Sequence, residues 1–274
     1  EPHVLGYKSD VDPVSFKRTF VPDPEKVVPV GFFQKGEPYL LFGLIPSDLH
    51  LIAPVNPRDP MYLFGADRLG RDVLSRTIHG TRISMSIGLI GVTLSLVLGI
   101  ILGGLSGFIG GTVDNLIQRA IEFLQSVPTI PLWMGLAAAI PQNWTPLQVY
   151  FAITIILSLI GWTGLAREVR GKFMALKHED FVIAARLDGL GEMAIIRKHL
   201  VPSFLSHIIA SVTLAIPAMI LAETALSFIG IGLKPPVVSW GVLLQEAQNI
   251  RSVASAPWLF LPGFAIVTAV LSMN

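Results

Sequence analysis

The chain has 274 residues, of which 52% are hydrophobic and 14% charged, with a mean hydropathy of +0.64. Soluble domains carry about 25% charged residues, so the composition excludes an ordinary soluble protein. Twenty basic against 19 acidic residues leave a net charge of +1, which excludes an overall field that would recruit nucleic acid. The absence of cysteine excludes disulfides, thiolate metal sites and cysteine nucleophiles.

Residues 1–82 hold ten of the 20 basic and ten of the 19 acidic residues, with prolines at 22, 24, 29, 54, 57 and 60. This balance marks a water-facing segment. Its Asp12-Pro13, Asp23-Pro24 and Asn56-Pro57 steps favour extended chain and turns. The charge spacing from Asp67 to Arg82 predicts one amphipathic, solvated helix at its end. No basic start followed by an apolar run marks a signal peptide.

Beyond Arg82 the charges vanish in blocks: none lies in Ile83–Val113, Phe123–Ala166, His199–Ala222 or Ser252–Asn274. A bilayer core of about 30 Å takes roughly 20 apolar residues of helix. Phe123–Ala166 is long enough for two spans, with Pro141, Gln142, Asn143 and Pro146 in its middle. The predicted spans are Ile83–Ile109, Phe123–Ile140, Leu147–Ala166, Val201–Ile231 and Pro257–Met273. Backbone groups in lipid must be satisfied within the segment, and no alternating barrel pattern is present, so the reading is an all-α polytopic membrane protein of five spans. Its domains are an extracytoplasmic segment over 1–82 and a transmembrane domain over 83–274.

Loop charge sets the orientation. Arg167, Arg170, Lys172, Lys177, Arg186, Arg197 and Lys198 lie between the third and fourth spans, against Lys234 and Arg251 between the fourth and fifth. Positive loops stay inside, which puts loop 167–200 in the cytoplasm and 1–82 outside. A further N-terminal span before Glu1 is then expected.

Gly99, Gly103, Gly107 and Gly111 recur every fourth residue and predict a stripe along which a neighbouring helix approaches closely. Loop 167–200 carries the most specific pattern: Asp180-Phe181-Val182-Ile183-Ala184-Ala185-Arg186-Leu187-Asp188-Gly189, then Ile195 to Pro202 with His199 before Leu200. Ala184 and Ala185 on a short helix stopped at Gly189 would present a small, shallow face to another protein, since glycine reaches the left-handed dihedrals of a helix end. Pro202 suits the first turn of the following span.

This loop resembles the EAA loop of binding-protein-dependent ABC transporter permeases, a Glu-Ala-Ala followed at fixed spacing by Gly and by an Ile-x-Leu-Pro ending. Ala184, Ala185, Gly189 and Pro202 match in spacing, Val201 is a mild change, and Ile183 and His199 replace the family's Glu and Ile. A second block, Phe64 to Arg76 followed by Gly80-Thr81-Arg82-Ile83-Ser84, looks like the signature before the second span in the C-type permease subunit of dipeptide and oligopeptide importers. Gly110 to Asp114, Glu223 to Gly230, and Pro235-Pro236 through Ser239-Trp240-Gly241 add matches in family order.

The resemblance implies a MetI-like helical permease in a bacterial or archaeal plasma membrane. Its implied partners are a homologous second permease, two cytoplasmic ABC ATPases that hold ATP and Mg, and an extracytoplasmic substrate-binding protein. Peptides are the expected cargo; the same subfamily shape serves oligosaccharides, opines, glutathione and nickel. It also implies that Asp180 to Gly189, with His199 and Pro202, form the ATPase-coupling element. The chain itself has no G-x-x-x-x-G-K-[ST] phosphate loop, so ATP must be hydrolysed on a partner. It carries no convincing catalytic set, cofactor motif or metal-ligand cluster.

Four further groups have competing readings. Glu223, the ionisable residue of an uncharged run, is a candidate for contact with substrate or the second permease, or lies near the outer interface. His207 on the same span reads as a packing residue, and the two together suggest the rival reading of a proton-coupled secondary transporter. Asp67, Arg68, Arg71, Asp72 and Arg76 are candidates for docking the binding protein, or form a solvated face with internal pairs. Arg119 and Glu122, three apart on a helix, are expected to pair, and Trp133, Trp144, Trp162, Trp240 and Trp258 to sit at the membrane interfaces.

Overall fold

The computed structural model describes residues 2–11, 13, 18–41 and 44–273, in two compact units, 1–66 and 67–274. The first unit corrects the all-α expectation. Strands β1 (His3–Val11), β2 (Arg18–Leu41) and β3 (Ile45–Pro54) form an antiparallel sheet in the order β1-β2-β3. β1 pairs with the first half of β2, from His3 opposite Pro29 to Val11 opposite Arg18; β3 pairs with the second half, from Val30 opposite Pro54 to Leu41 opposite Ile45.

Two prolines of β2 fall at irregularities, while Pro22, Pro29 and Pro54 keep their place in the register opposite Tyr7, His3 and Val30. Pairing steps from Val27 to Asp23 opposite Leu5 and Gly6, which leaves Pro24 in a bulge, and from Lys35 to Tyr39 opposite Leu49 and Ser47, which leaves Pro38 in another. Proline has no N–H to give a ladder, so a strand tolerates it in a bulge or where its N–H side faces away from a partner strand. Asp23-Pro24 is therefore strand, Asn56-Pro57 opens a turn closed by the Asp59 N–H to the Asn56 carbonyl at 3.0 Å, and Asp12 lies outside the described residues.

The second unit is helical. α1 (Val73–Ile109) begins where Asp72 accepts the Ser75 N–H at 2.9 Å and ends at Gly110, whose φ is 74°. The predicted amphipathic helix from Asp67 is thus a turn over 67–72 followed by α1. α2 (Gly111–Ser126) and α3 (Thr129–Ala138) replace the single predicted span Phe123–Ile140. Pro128 forces Val127 into extended backbone, at φ −92° and ψ 132°, and breaks the helix there. α4 (Pro146–Leu176) starts with a capping box: the Thr145 N–H reaches the Gln148 carboxamide oxygen at 2.8 Å and the Gln148 N–H returns to the Thr145 hydroxyl at 3.4 Å.

Next come α5 (Asp180–Leu187), α6 (Glu192–Ile195), a π-helical turn over Ile196–Leu200, and α7 (Val201–Ser203). α8 (Leu205–Phe228) is followed by α9 (Trp240–Leu244), a 3-10 segment Gln245–Gln248, α10 (Ile250–Ser255), a 3-10 segment Pro257–Phe260 and α11 (Leu261–Met273). Among the described residues three helices, α1, α4 and α8, are long and apolar enough to cross a membrane, against the five spans expected; Thr129–Ala138 and Pro257–Met273 are shorter apolar segments.

The glycine stripe is the seam between α1 and α4. A Cβ added at Gly103 would lie 2.4 Å from the Ala166 carbonyl oxygen, and one at Gly107 would lie 2.5 Å from that of Arg170. Backbone meets backbone there, so a side chain has no room. Gly111 does not join the seam, because it opens α2 with φ 59° into free space. The two larger apolar clusters of the unit have Ile87, Ile153, Leu157, Met219 and Leu226 in one, and Phe108, Phe173, Ile195, Leu200 and Phe204 in the other. Trp162 and Trp240 are buried in the core rather than placed at an interface.

Candidate functional site: a presented helix and two polar networks

α5 is held against the second cluster by Val182 and Ala185, three residues apart and both buried. Its end is fixed by a Schellman motif: the Leu190 N–H reaches the Ala185 carbonyl at 3.1 Å and the Gly189 N–H that of Arg186 at 3.0 Å. Gly189 has φ 79°, the left-handed value that favours glycine. Asp180 lies in the first turn, where the helix dipole favours a negative charge. The Arg186 guanidinium sits 4.8 Å above the centre of the Phe108 ring, fastening α5 to the end of α1.

With Val182 and Ala185 turned inward, Phe181, Ile183, Ala184 and Leu187 are exposed, Leu187 at 84%. The expectation that both alanines form the outer face is corrected by the helical period: Ala185 shares the inward stripe with Val182. Asp188 flanks the outer face, while His199, half-buried, and Pro202, exposed, lie beyond it on the π turn and α7.

At the opposite end of α1, Asp67 and Arg71 close a turn. The Asp67 N–H reaches the Arg71 carbonyl at 2.9 Å; Asp67 Oδ1 accepts the Leu69 and Arg71 N–H groups at 2.9 and 3.0 Å; Arg71 Nε donates to Asp67 Oδ2 at 2.7 Å. Burial pushes the Asp67 carboxyl up, but the hydrogen bonds from Arg71 and Leu69 and the Arg71 charge outweigh it and hold the group below the usual carboxylate range. Arg76 Nε stands 3.9 Å from Asp67, and Glu246 of the 3-10 segment lies 3.7 Å from Arg68 and 3.9 Å from Arg71. Together they wall a cleft of about 290 Å³. Asp67, Arg71, Asp72 and Arg76 are therefore structural ties more than a solvated helix face, and Arg68 alone of the five keeps most of its side chain in the open.

Glu223 belongs to a second network and is fully buried, at 0% exposure. Its Oε1 accepts the hydroxyls of Ser227 at 2.7 Å and Ser239 at 2.9 Å. Ser227 in turn accepts the Leu233 N–H, Ser239 caps α9, and the Trp240 N–H and indole reach the Ser84 hydroxyl and the Thr77 carbonyl, each at 3.0 Å. The carboxyl thus joins α8 to the start of α9, and Trp240 carries the network on to α1; side chains, not bulk solvent, surround Glu223 at this end of the helices. His207 Nε2 lies 3.3 Å from Glu168, on the far part of α8 from Glu223, so the two do not meet.

Sequence reading missed one pair. Asp114, in the first turn of α2, holds Arg170 of α4 through two bonds of 2.6 Å, with the Ser106 hydroxyl donating to Asp114 and Gln118 to Ser106. Arg170 counted there as a loop charge; the uncharged run before Asp114 was the available signal.

The family model of the binding-protein-dependent transport system inner membrane component matches residues 95–274. The chain is 36% identical over 229 residues to the oligopeptide transport system permease protein OppC of Haemophilus influenzae, covering 83% of this chain and 71% of that one. It is 35% identical to the dipeptide transport system permease protein DppC of Bacillus subtilis, covering 80% and 66%, and 38% identical to DppC of Lactococcus lactis, covering 80% and 61%. It thus spans from 61% to 71% of the length of these three relatives.

In fold, the chain is similar to solved inward-facing conformations of the MetNI methionine ABC transporter. One superposes with a TM-score of 0.50 at 18% identity and another with 0.51 at 17%, each covering 73% of this chain and 97% of the other. Those likenesses carry the MetI-like fold alone. With two thirds of its length matched by the family model, the chain belongs to the family of binding-protein-dependent transport system inner membrane components.

Proposed function

We propose that this chain is a multi-pass permease subunit of an ATP-driven importer, forming half of the translocation pathway for oligopeptides or dipeptides brought by a substrate-binding protein. The family and the names of its relatives support that reading, and α5 carries it: an exposed apolar helix whose seat and end are both fixed. A free surface of this kind is a fit for a cleft in another subunit, because the apolar face gains by burial while Val182 and Ala185 stay in place. The partner is a cytoplasmic ABC ATPase, one of two that hold ATP and Mg, and Asp180 to Gly189 form the coupling element, with His199 and Pro202 supporting its return segment.

ATP-driven closure of the ATPase pair then tilts the helices between inward-open and outward-open states, a two-state equilibrium biased by whichever arrangement the ATPases bind better. A second, homologous permease completes the path. The α5 end faces the cytoplasm of a bacterial or archaeal cell and the Asp67 to Arg76 end faces outward, where Arg68 is the residue most available to a docked binding protein. Purification from the native membrane tests this reading. Two ATPases, a second permease and a binding protein loaded with peptide are expected to co-purify; a chain isolated without ATPases, whose transport collapses with the proton gradient instead, would be a secondary transporter.

A further inference from the structure

The cleft at the Asp67 end holds more positive charge than its own acids balance. Arg68, Arg71 and Arg76 line it against Asp67 and Glu246, a surplus of one cation. Asp67 is taken up by the Arg71 turn: its Oδ2 receives the Arg71 Nε at 2.7 Å, and its Oδ1 two backbone N–H groups. Arg76 Nε stands 3.9 Å from that same Oδ2, beyond hydrogen-bond distance, and this buried nitrogen donates to nothing among the described residues. The Arg76 side chain is only 20% exposed. A guanidinium so far withdrawn from water is costly without an acceptor. Its planar fork is shaped to hold a carboxylate through two parallel bonds.

The remaining walls suit the end of a peptide. Gln245 and Gln248 give their NH2 groups to the carbonyls of Ser227 and Phe228 at the end of α8, which leaves each with a carboxamide oxygen that can accept a ligand N–H. Val242, Leu259 and Pro262 add apolar wall for a side chain. A volume of about 290 Å³ is at the low end for a small-molecule site, room for a peptide's last residue or two. The acidic side chain of a docked protein would use the cation and leave the amide acceptors and the apolar wall idle. A peptide end uses all three.

We infer that this cleft binds the free C-terminal carboxylate of a peptide, held by Arg76. Glu246 keeps Arg68 and Arg71 within 3.7 and 3.9 Å, so Arg76 is the guanidinium with capacity to spare. Arg68, its side chain 79% exposed, stands at the rim and can close over the ligand. The inference rests on the transport reading for calling that peptide the cargo, and not for the carboxylate chemistry. Every unblocked peptide ends in a carboxylate whatever its sequence, so a cation that reads this group alone accepts cargo with varied side chains.

The full complex with its binding protein, in lipid nanodiscs, is photolysed with alanyl-photo-leucine, whose last residue is a diazirine analogue of leucine, and label on this subunit is mapped. Cross-links are expected within 67–76 or 242–262. Unlabelled alanyl-leucine should suppress them better than alanyl-leucine amide, which cannot form the charge-assisted bonds. The same comparison in Arg76→Gln, with the same binding protein, cancels that protein's own preference. The acid-over-amide preference should fall at least about tenfold in Arg76→Gln and by less in Arg76→Lys, which keeps the charge without the fork. If Arg76→Gln does not assemble, Arg76→Lys carries the comparison. An unchanged preference in the variants, or label confined to other segments of the wild-type chain, would overturn the inference. So would weaker docking of the binding protein to Arg76→Gln with the peptide preference intact, since the cation would then serve an acidic side chain of that protein. Lack of ATP-driven uptake by the unmodified complex counts against the transport reading alone, because photolysis needs no ATP and judges the carboxylate site by itself.

Discussion

At the α5 end, Phe108, Phe173 and Phe204 seat a short helix by apolar packing, with the Phe173 and Phe204 rings edge to face at 5.5 Å. At the other end, Glu223, Ser84, Ser227, Ser239 and Trp240 hold α1, α8 and α9 by hydrogen bonds, and Asp67, Arg71 and Glu246 add ion pairs. Apolar contact is non-directional and keeps most of its value when helices tilt. Hydrogen bonds weaken steeply with angle. The contrast teaches which contact can roll on its neighbours and which must move as one piece: the proposed coupling helix itself is seated on the tolerant kind of contact, and the Glu223 end is locked.

Both ends hang on the α1–α4 seam, so breaking it should have the largest effect. Gly103→Val sets a side chain where even a Cβ would lie 2.4 Å from a backbone carbonyl; a cost of about 3 kcal/mol or more is expected, read as loss of monodisperse protein on size exclusion. Gly171→Ala, in open space, should keep full yield. Next, Glu223→Ala strands the Ser227 and Ser239 hydroxyls and leaves a cavity, for about 2 to 4 kcal/mol. Glu223→Gln keeps an acceptor oxygen and should lose less than half as much in thermal unfolding. Equal losses would mean that the network is not what locks this end.

At the tolerant end, Gly189→Val forces a β-branched residue to φ 79° and should cost about 1 to 2 kcal/mol, while Gly189→Asn costs less. The larger effect of Gly189→Val or Ala185→Glu is expected on ATPase co-purification and uptake, because α5 loses its end or its seat. The smallest effect concerns pH. The folded Asp67 carboxyl lies below its unfolded value of about 3.9, so its contribution is present above that pH and fades as pH falls through the lower folded value. Wild type should therefore lose a little stability at acid pH that Asp67→Asn does not lose, measured as unfolding midpoints between neutral and acid buffers.

Much of the helical unit was legible in the sequence because charge cannot be hidden in lipid. The uncharged runs mark α1, α4 and α8, Gly189 stops α5 where expected, and the glycines at 99, 103 and 107 pack on α4. What escaped depends on distant partners or local breaks. The sheet pairs Leu5 with Val27 and Lys35 with Leu49, and its prolines look like loop until their places in the register, or in the bulges at Pro24 and Pro38, are seen. The turn at Asp67 is closed by its own side chain and by Glu246, 179 positions away, so its charge spacing imitates a helix. The burial of Glu223 rests on Ser227 of its own helix and on Ser239 sixteen positions away. The Val127-Pro128 break could have been read in advance, since the residue before a proline leaves the helical region.

The central claim is that energy enters this chain from a partner ATPase through α5. Uptake of a radiolabelled peptide into proteoliposomes holding the full complex and binding protein, with ATP inside and the proton gradient collapsed, tests it most directly. The account predicts uptake that persists without the gradient, stops without ATP, and falls to background in Ala185→Glu. Uptake that needs the gradient but not ATP, or that Ala185→Glu leaves untouched, would contradict it.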